Sequence, residues 1–519
     1  MSPGMLELPY LIGTMSSPNI KDLLLAPRLD REQVSSLLRP YGIKNPTKAD
    51  ASLQWMASDA DERELLADIL EDFLECAAES ANPDQALSQL ELFSAAALNR
   101  RHLFSFLKDA PLTLEILAKT LGCNPFLAEI LIRNPQHFYW VTDPAILHSR
   151  RGKRALQREI IQTLKVLDDE TAQLDYLRFF KRREMLHIGM RDLLRICTVA
   201  DTLFALSELA QALISAVYWV CARSLRREWG IPARAFTGFT IMALGKLGGA
   251  ELNFSSDVDL LYVYASDNEH AAGVSASEYF DKLGQRITAG LSEVTSEGYV
   301  YRVDLGLRPA GTEEIALPLG RFRRYYQSHP GTQERLALLK AWPVAGNWAL
   351  GRAFHTMARE FIYDMPFDAE VVNELRSIKD RIDHQLATRG QTRNVKLGTG
   401  GIREIELIAQ ALQVKYGGDF VEIRERGTLK ALEALRTLAL VKADDAETLS
   451  SAYMFLRDVE NKLQMVNDEQ THSLPREIEE LTGCARMLGY SGRQSFLHDY
   501  EQHTGAVRRV FERCFSGNF

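Results

Sequence analysis

A chain of 519 residues, 46% hydrophobic and 25% charged, has room for three or four domains or for one domain with large helical additions, which excludes a disordered or fibrous protein. Its net charge of −8 argues against a nucleic-acid-binding surface spread over the whole molecule, though not against a local basic cleft. Six scattered cysteines without a CxxC pair read as buried free thiols of a cytoplasmic protein. The N-terminus has no basic n-region, so no signal peptide is expected.

Up to about Lys48, prolines at 27, 40 and 46 separate short amphipathic pieces, which predicts a loose or small helical entry segment. From Ala51 the pattern is helical. DERELLADILEDFL (61–74) repeats its apolar residues every three or four positions, and further helices are expected over 90–107 and 112–121, with Pro111 and Pro125 as start signals. Three long helical patterns fill 155–229. The apolar stretch Leu203 to Cys221 is interrupted by Glu208 and Gln211, so it reads as a buried helix and not as a membrane span. The middle pattern, 177–195, carries a basic stripe through Lys181, Arg182, Arg183, Arg191 and Arg195. It is either a salt-bridged helix face, with Glu184 and Asp192 as partners, or a surface for an anionic ligand. His187 on it reads as packed.

Gly230 and Pro232 break the helical run, and the stretch from Ala243 to Tyr264 changes character. Gly245, Gly248 and Gly249 form a turn; a polar segment follows; Asp257 and Asp259 then sit one residue apart in a run of Val, Leu and Tyr that reads as a strand. Side chains on a strand alternate, so both carboxylates project from one face while Val258 and Leu260 enter the core. Paired carboxylates on one face suit Mg2+ or Mn2+. After a helix over 277–297, the segment GYVYRVDLGLRP (298–309) alternates again and carries Asp304. Three carboxylates on neighbouring strands beside a glycine turn predict a divalent-metal site for attack on a nucleotide phosphate, the arrangement of a nucleotidyltransferase. A helix bearing Arg321, Arg323 and Arg324 follows, and then QERLALLKAW (333–342), whose Arg335 and Lys340 are candidate cations for a phosphate leaving group.

The second glycine cluster, KLGTGGIREIE (396–406), precedes a helix expected to reach Lys415. It reads as either a phosphate cradle or a tight structural turn, since it lacks the GxxxxGK[ST] pattern. Residues 424–519 read as a helical bundle interrupted by the polar connection 461–475.

Four stretches together carry a family resemblance: GKLGGAELNFSSDVDL (245–260), VDLGLRPAG (303–311), KLGTGGIREIE (396–406) and NDEQTHSLP (467–475). In this order they resemble the motifs of the glutamine synthetase adenylyltransferase/deadenylylase family of DNA polymerase β-like nucleotidyltransferases. The resemblance covers roughly residues 100 to 515, and its last two motifs are similar to those of the N-terminal, adenylyl-removing half of a tandem enzyme.

It implies a predominantly helical α+β fold. A polymerase β-like nucleotidyltransferase domain with a small mixed sheet (236–350) would lie between an N-terminal helical region (1–235) and a C-terminal helical bundle (351–519). It also implies phosphorolysis of the AMP–tyrosine bond of glutamine synthetase with release of ADP, in the regulation of nitrogen metabolism. Asp257, Asp259 and Asp304 would hold two Mg2+ ions about 3.5 to 4 Å apart. Gly245, Lys246, Gly248, Gly249 and Ser256 would lie by the nucleotide phosphates, and Arg308, Arg335 and Lys340 would balance their charge. A PII-type signal protein is a further implied partner. ATP-dependent adenylylation of the same tyrosine, and a binding module without chemistry, are the alternatives.

The chain departs from the family at Gly306, where arginine is common, at Gln333, at Trp342, and at Thr312–Glu314, where a glycine-containing turn is usual. Fewer cations and more acids near a polyanionic centre predict weaker nucleotide or phosphate binding unless other basic residues compensate.

Overall fold

The computed structural model describes residues 19–328, 331–388, 393–467 and 471–516. They form two compact units. The first, up to Cys123 with 131–135, is helix packed on helix: Pro46–Met56, Ala60–Ala78, Pro83–Ala96, Arg100–Asp109 and Pro111–Cys123. The single helix expected over 90–107 is two. Asn99 ends the first and caps the second, its side-chain oxygen accepting from the His102 amide. Helices do begin at Pro111 and Pro125.

In the second unit, 124–130 and 136–519, two short helices, Gln136–Val141 and Pro144–Leu147, precede α1 (Lys153–Leu164), α2 (Glu170–Leu193) and α3 (Val199–Glu228), the three long helices expected. The division into compact units therefore falls near residue 123, and the expected boundaries at 235 and 350 lie inside the second unit. Most of the basic stripe is turned inward, with Arg195 exposed past the end of α2. Arg183 pairs with Glu159 and Glu184, Arg182 with Glu297, and the Asp192 carboxylate with Lys462. His187 Nε2 meets the Ile146 carbonyl at 2.9 Å. Helix α3 is long and apolar enough to cross a membrane by length and composition, yet most of that stretch is buried inside the protein, against α2 and the sheet.

The sheet is small and mixed. Its strands are β1 (Phe239–Ala243), β2 (Val258–Tyr264), β3 (Val303–Asp304), β4 (Ala316–Pro318) and β5 (Trp342–Gly346), in the order β3-β2-β1-β5 with β4 beside β2. β1 is antiparallel to β2 and β5, whereas β3 and β4 run parallel to β2. Between β2 and β3 lies α4 (Ala276–Ser292), capped by Ser275. Only Val303 and Asp304 of the alternating 298–309 segment pair as a strand.

Both sheet faces are covered. On one, Tyr262 reaches Thr288 of α4 (2.9 Å) and Tyr264 stacks on Phe280. On the other, Met242, Leu261, Val263 and Leu317 enter a continuous apolar core with the C-terminal helices. Those helices are α5 (Thr332–Leu338) and α6 (Trp348–Tyr363), which flank β5, then α7 (Ile402–Tyr416), α8 (Ala443–Asn467) and α9 (Arg493–Ser516). Asp257 and Asp259 share the parity of Leu261 and Val263, so the carboxylates open onto the face roofed by α7 and α8.

Candidate active site

Strand register brings the acids together. Asp259 is the direct neighbour of Asp304 in the parallel β2–β3 pair, so their side chains leave the same face, and Asp257 stands two residues before Asp259 on that face. The turn after β1 closes against them. Gly245 has φ +53, and a Cβ there would lie 2.1 Å from Asp259 Oδ2, so only glycine lets the turn pass this carboxylate.

A cleft of about 620 Å³ opens over the three acids. Burial, with Asp304 and Asp257 adding repulsion, pushes the Asp259 carboxyl from its ordinary 3.8 up to about 6, partly offset by Lys396 and Lys246. This is the electrostatic demand that a divalent cation satisfies. Among the described residues no three acid, histidine or cysteine side chains are gathered as a metal-ligand set, and two of the aspartates have protein partners. Asp257 Oδ1 accepts from Arg302 Nε at 2.5 Å, and Asp304 Oδ1 from the Gly306 amide at 2.7 Å.

Of the other expected residues, Gly245, Lys246, Ser256, Arg308 and Lys340 line the cleft. Ser256 Oγ accepts from the Asn253 amide and so closes the loop before Asp257. Arg308 donates to the Leu305 and Glu314 carbonyls, which fixes its guanidinium at the cleft. Gly248 and Gly249 lie behind the wall, against the Lys340 carbonyl and Arg426.

Lys340 is present but committed. Its ammonium contacts Glu251 at 2.9 Å and Glu406 at 3.0 Å. Burial works against the Glu406 carboxyl, but Lys340 and Arg403 outweigh it and hold it down at about 2.

Arg335 is not brought to the cleft. It is buried, with its guanidinium donating to the carbonyls of Ile362 (2.8 and 3.2 Å), Met365 (3.1 Å) and Pro366 (3.2 Å), so it closes the C-terminal end of α6. Amphipathic spacing alone cannot distinguish a cation aimed at a ligand from one aimed at a helix end. Arg335→Gln is accordingly expected to cost about 1–3 kcal/mol of stability through the carbonyls left unpaired. Thermal unfolding of the variant beside the wild type checks it.

The cations that local patterns missed come from the distant C-terminal segments. Lys396 and Arg403 line the cleft, as do Glu406, Gln410 and His472. They sit there because 393–397 pairs with 472–474: the Val395 amide donates to the His472 carbonyl, and the Leu474 amide to Arg393. The remaining residues of the 467–475 motif at 468–470 lie outside the described residues.

The glycine cluster is a structural turn. The amides of Ile402, Arg403 and Glu404 are taken by carbonyls of Val395, Lys396 and Gly401, and Gly400 (φ +70) passes where a Cβ would meet the Thr504 carbonyl of α9 at 1.9 Å. Of the departures, Gly306 and Gln333 line the cleft and the other two have local partners. Trp342 lies beneath the Arg426 guanidinium at 4.4 Å, away from the cleft, and Glu314 pairs with Arg321.

Helix α8 backs the wall. Glu460, fully buried, contacts Lys246 Nζ at 2.9 Å, His472 Nδ1 at 2.9 Å and Arg457 at 3.0 Å. Burial opposes its charge, but Lys246, Arg457 and His472 together hold the carboxyl well below its usual range. Alongside, Asn253 Nδ2 donates to Asn461 (2.7 Å) and the Ser255 amide to Gln464 (3.2 Å). The loop that delivers Asp257 is thus moored on α8.

Residues 114–357 match the family model described as glutamate-ammonia ligase adenylyltransferase. That stretch, a little under half of the chain, belongs to this family. Residues 376–515 match a second model, GlnD PII-uridylyltransferase. The chain is 36% identical over 374 residues to a bifunctional glutamine synthetase adenylyltransferase/adenylyl-removing enzyme of Methylococcus capsulatus, covering 71% of this chain and 39% of that protein. It is 34% identical over 404 residues to the enzyme of the same name from Psychromonas ingrahamii, covering 76% and 42%. The chain thus spans about two fifths of the relatives it matches. Its helix-rich α+β architecture with a small mixed sheet is that of a nucleotidyltransferase of this family. The two matched regions of this chain are consecutive in sequence but share one cleft and one apolar core.

Proposed function

We propose that this chain removes AMP from an adenylylated tyrosine of glutamine synthetase by Mg2+-dependent phosphorolysis, and that it corresponds to the adenylyl-removing half of its longer relatives. The observation that carries the reading is the pairing of Asp259 with Asp304 on adjacent strands, with Asp257 on the same face, at the floor of a cleft closed by the Gly245 turn. Its direction, removal and not transfer, rests on the resemblance of 396–406 and 467–475 to the removing half; both stretches contribute residues to the cleft.

Asp257, Asp259 and Asp304 would hold the metal, Mg2+ or Mn2+, whose chemistry is to neutralise charge on the attacking and leaving oxygens. Lys246, Lys396, Arg403 and Arg308 set a positive field where the nucleotide and inorganic phosphates would meet. A phosphate oxygen attacks the AMP phosphorus, the bond to the tyrosine oxygen breaks with its electron pair leaving on that oxygen, and ADP and tyrosine result. The chain's task is positioning and charge balance. A PII-type signal protein is the effector we propose for 376–515, from the name of the model matched there.

The test is incubation of the purified chain with adenylylated glutamine synthetase, Mg2+ and inorganic phosphate. Phosphate-dependent ADP release is the expected result. Labelling of unmodified glutamine synthetase from ATP would reverse the direction, and neither reaction, in folded protein that binds its substrate, would leave only a binding module.

A further inference from the structure

A second cavity, of about 420 Å³, lies at the other end of the sheet, where β5 leaves Gly346 and the chain enters β1 at Thr237. Lys153, the first residue of α1, projects into it. Its ammonium donates to Gln211 Oε1 at 3.0 Å and stands 5.4 Å from the centroid of the Trp348 ring.

No carboxylate lies within ion-pair distance of Lys153 among the described residues. Other enclosed cations of the same unit are satisfied within the protein: Arg151, Arg183, Lys340 and Lys462 each by two carboxylates, and Arg335 by backbone carbonyls. Burial and the Arg426 charge pull the Lys153 ammonium below its usual range, and Glu208 restores this only in part. A half-buried ammonium held by one amide and an aromatic ring keeps donor capacity for an anion.

The walls suit a flat body. Tyr218 is held by stacking on Phe239, at 5.7 Å and 14° between planes, Trp219 carries Arg223 on its ring, and Trp348 stands 47% exposed at the lip. Gln157 and Asn347 add polar edges.

We propose that this cavity binds a small organic anion, with its carboxylate or phosphate on Lys153 and its flat or apolar body against Trp219 and Trp348. The size is that of ordinary small-molecule sites. The proposal is independent of the reaction assigned to the aspartate cleft.

Phenylacetate and phenyl phosphate serve as probes on the full chain, with neutral phenylacetamide as control, followed by calorimetry and tryptophan fluorescence. At least one anion is expected to bind about tenfold or more tightly than the amide, as a charge-assisted contact requires, and comparing the two identifies the headgroup. Lys153→Gln should lose that preference, Lys153→Arg should retain it, and Trp348→Ala, a change at the exposed lip, should weaken both anions. Asp259→Asn should leave binding unchanged, which separates this cavity from the cleft. Equal binding of amide and anions, undiminished binding to Lys153→Gln, loss in Asp259→Asn, or no binding of either anion at millimolar concentration would each overturn the proposal.

Discussion

Asp259→Asn is expected to lower turnover by about a thousandfold or more, since a metal site supplies several kcal/mol of charge stabilisation and each 1.4 kcal/mol is tenfold in rate. The same substitution should make the metal-free protein more stable. The Asp259 carboxyl titrates near 6 in the folded chain against 3.8 when unexposed to its neighbours, so between these values the folded state binds more protons than the unfolded one. Stability is therefore lost as pH rises from about 4 through 6, by about 3 kcal/mol once the carboxylate is ionised. Asparagine removes that penalty. Melting curves at pH 5 and 7.5 should show the variant gaining on the wild type at both, and more at the higher pH, and Mg2+ should raise the wild-type Tm far more than that of the variant. Equal Mg2+ shifts in both proteins would show that the three aspartates do not hold the ion.

Glu460→Gln should act in the opposite way, costing stability and activity together. Glu460 is fully buried and shared by Lys246, Arg457 and His472, and removing one partner of a buried ionic cluster costs about 3–5 kcal/mol because the remaining charges stay buried. Turnover should fall as well, because Lys246 loses the contact that fixes it in the cleft. Glu433→Gln, which breaks an exposed pair with Arg436, is the matched control and should change neither property. Adding Lys246→Met to Glu460→Gln should recover part of the stability without recovering activity. A double variant as unstable as the sum of its singles would show that the two residues are not coupled.

How far the site could be read along the chain follows from the range of each signal. The Asp257/Asp259 strand and the Gly245 turn stood out because strand alternation and glycine spacing are local properties, expressed within twenty residues. β1, β4 and β5 carry no comparable signal. They are three to five residues long, and β5, Trp342–Gly346, contains a proline and ends on a glycine, a composition that reads as a turn until pairing with β1 makes it a strand. Arg335 and Lys340 lay on the expected amphipathic segment, yet one is spent on a helix end and the other on two carboxylates.

The sequence by itself determined the chemistry available: which strand carries paired carboxylates, which turn requires glycine, and that helices surround a small sheet. Only the tertiary structure decided which charges share the cleft. Lys396, Arg403 and His472 stand more than 130 residues beyond Asp259, and nothing local aims them. Their placement follows from the pairing of 393–397 with 472–474 and from the burial of Glu460 against Lys246. A buried charge is tolerated only where another part of the chain supplies its counter-charge, and that condition is met by packing and not by neighbours in sequence.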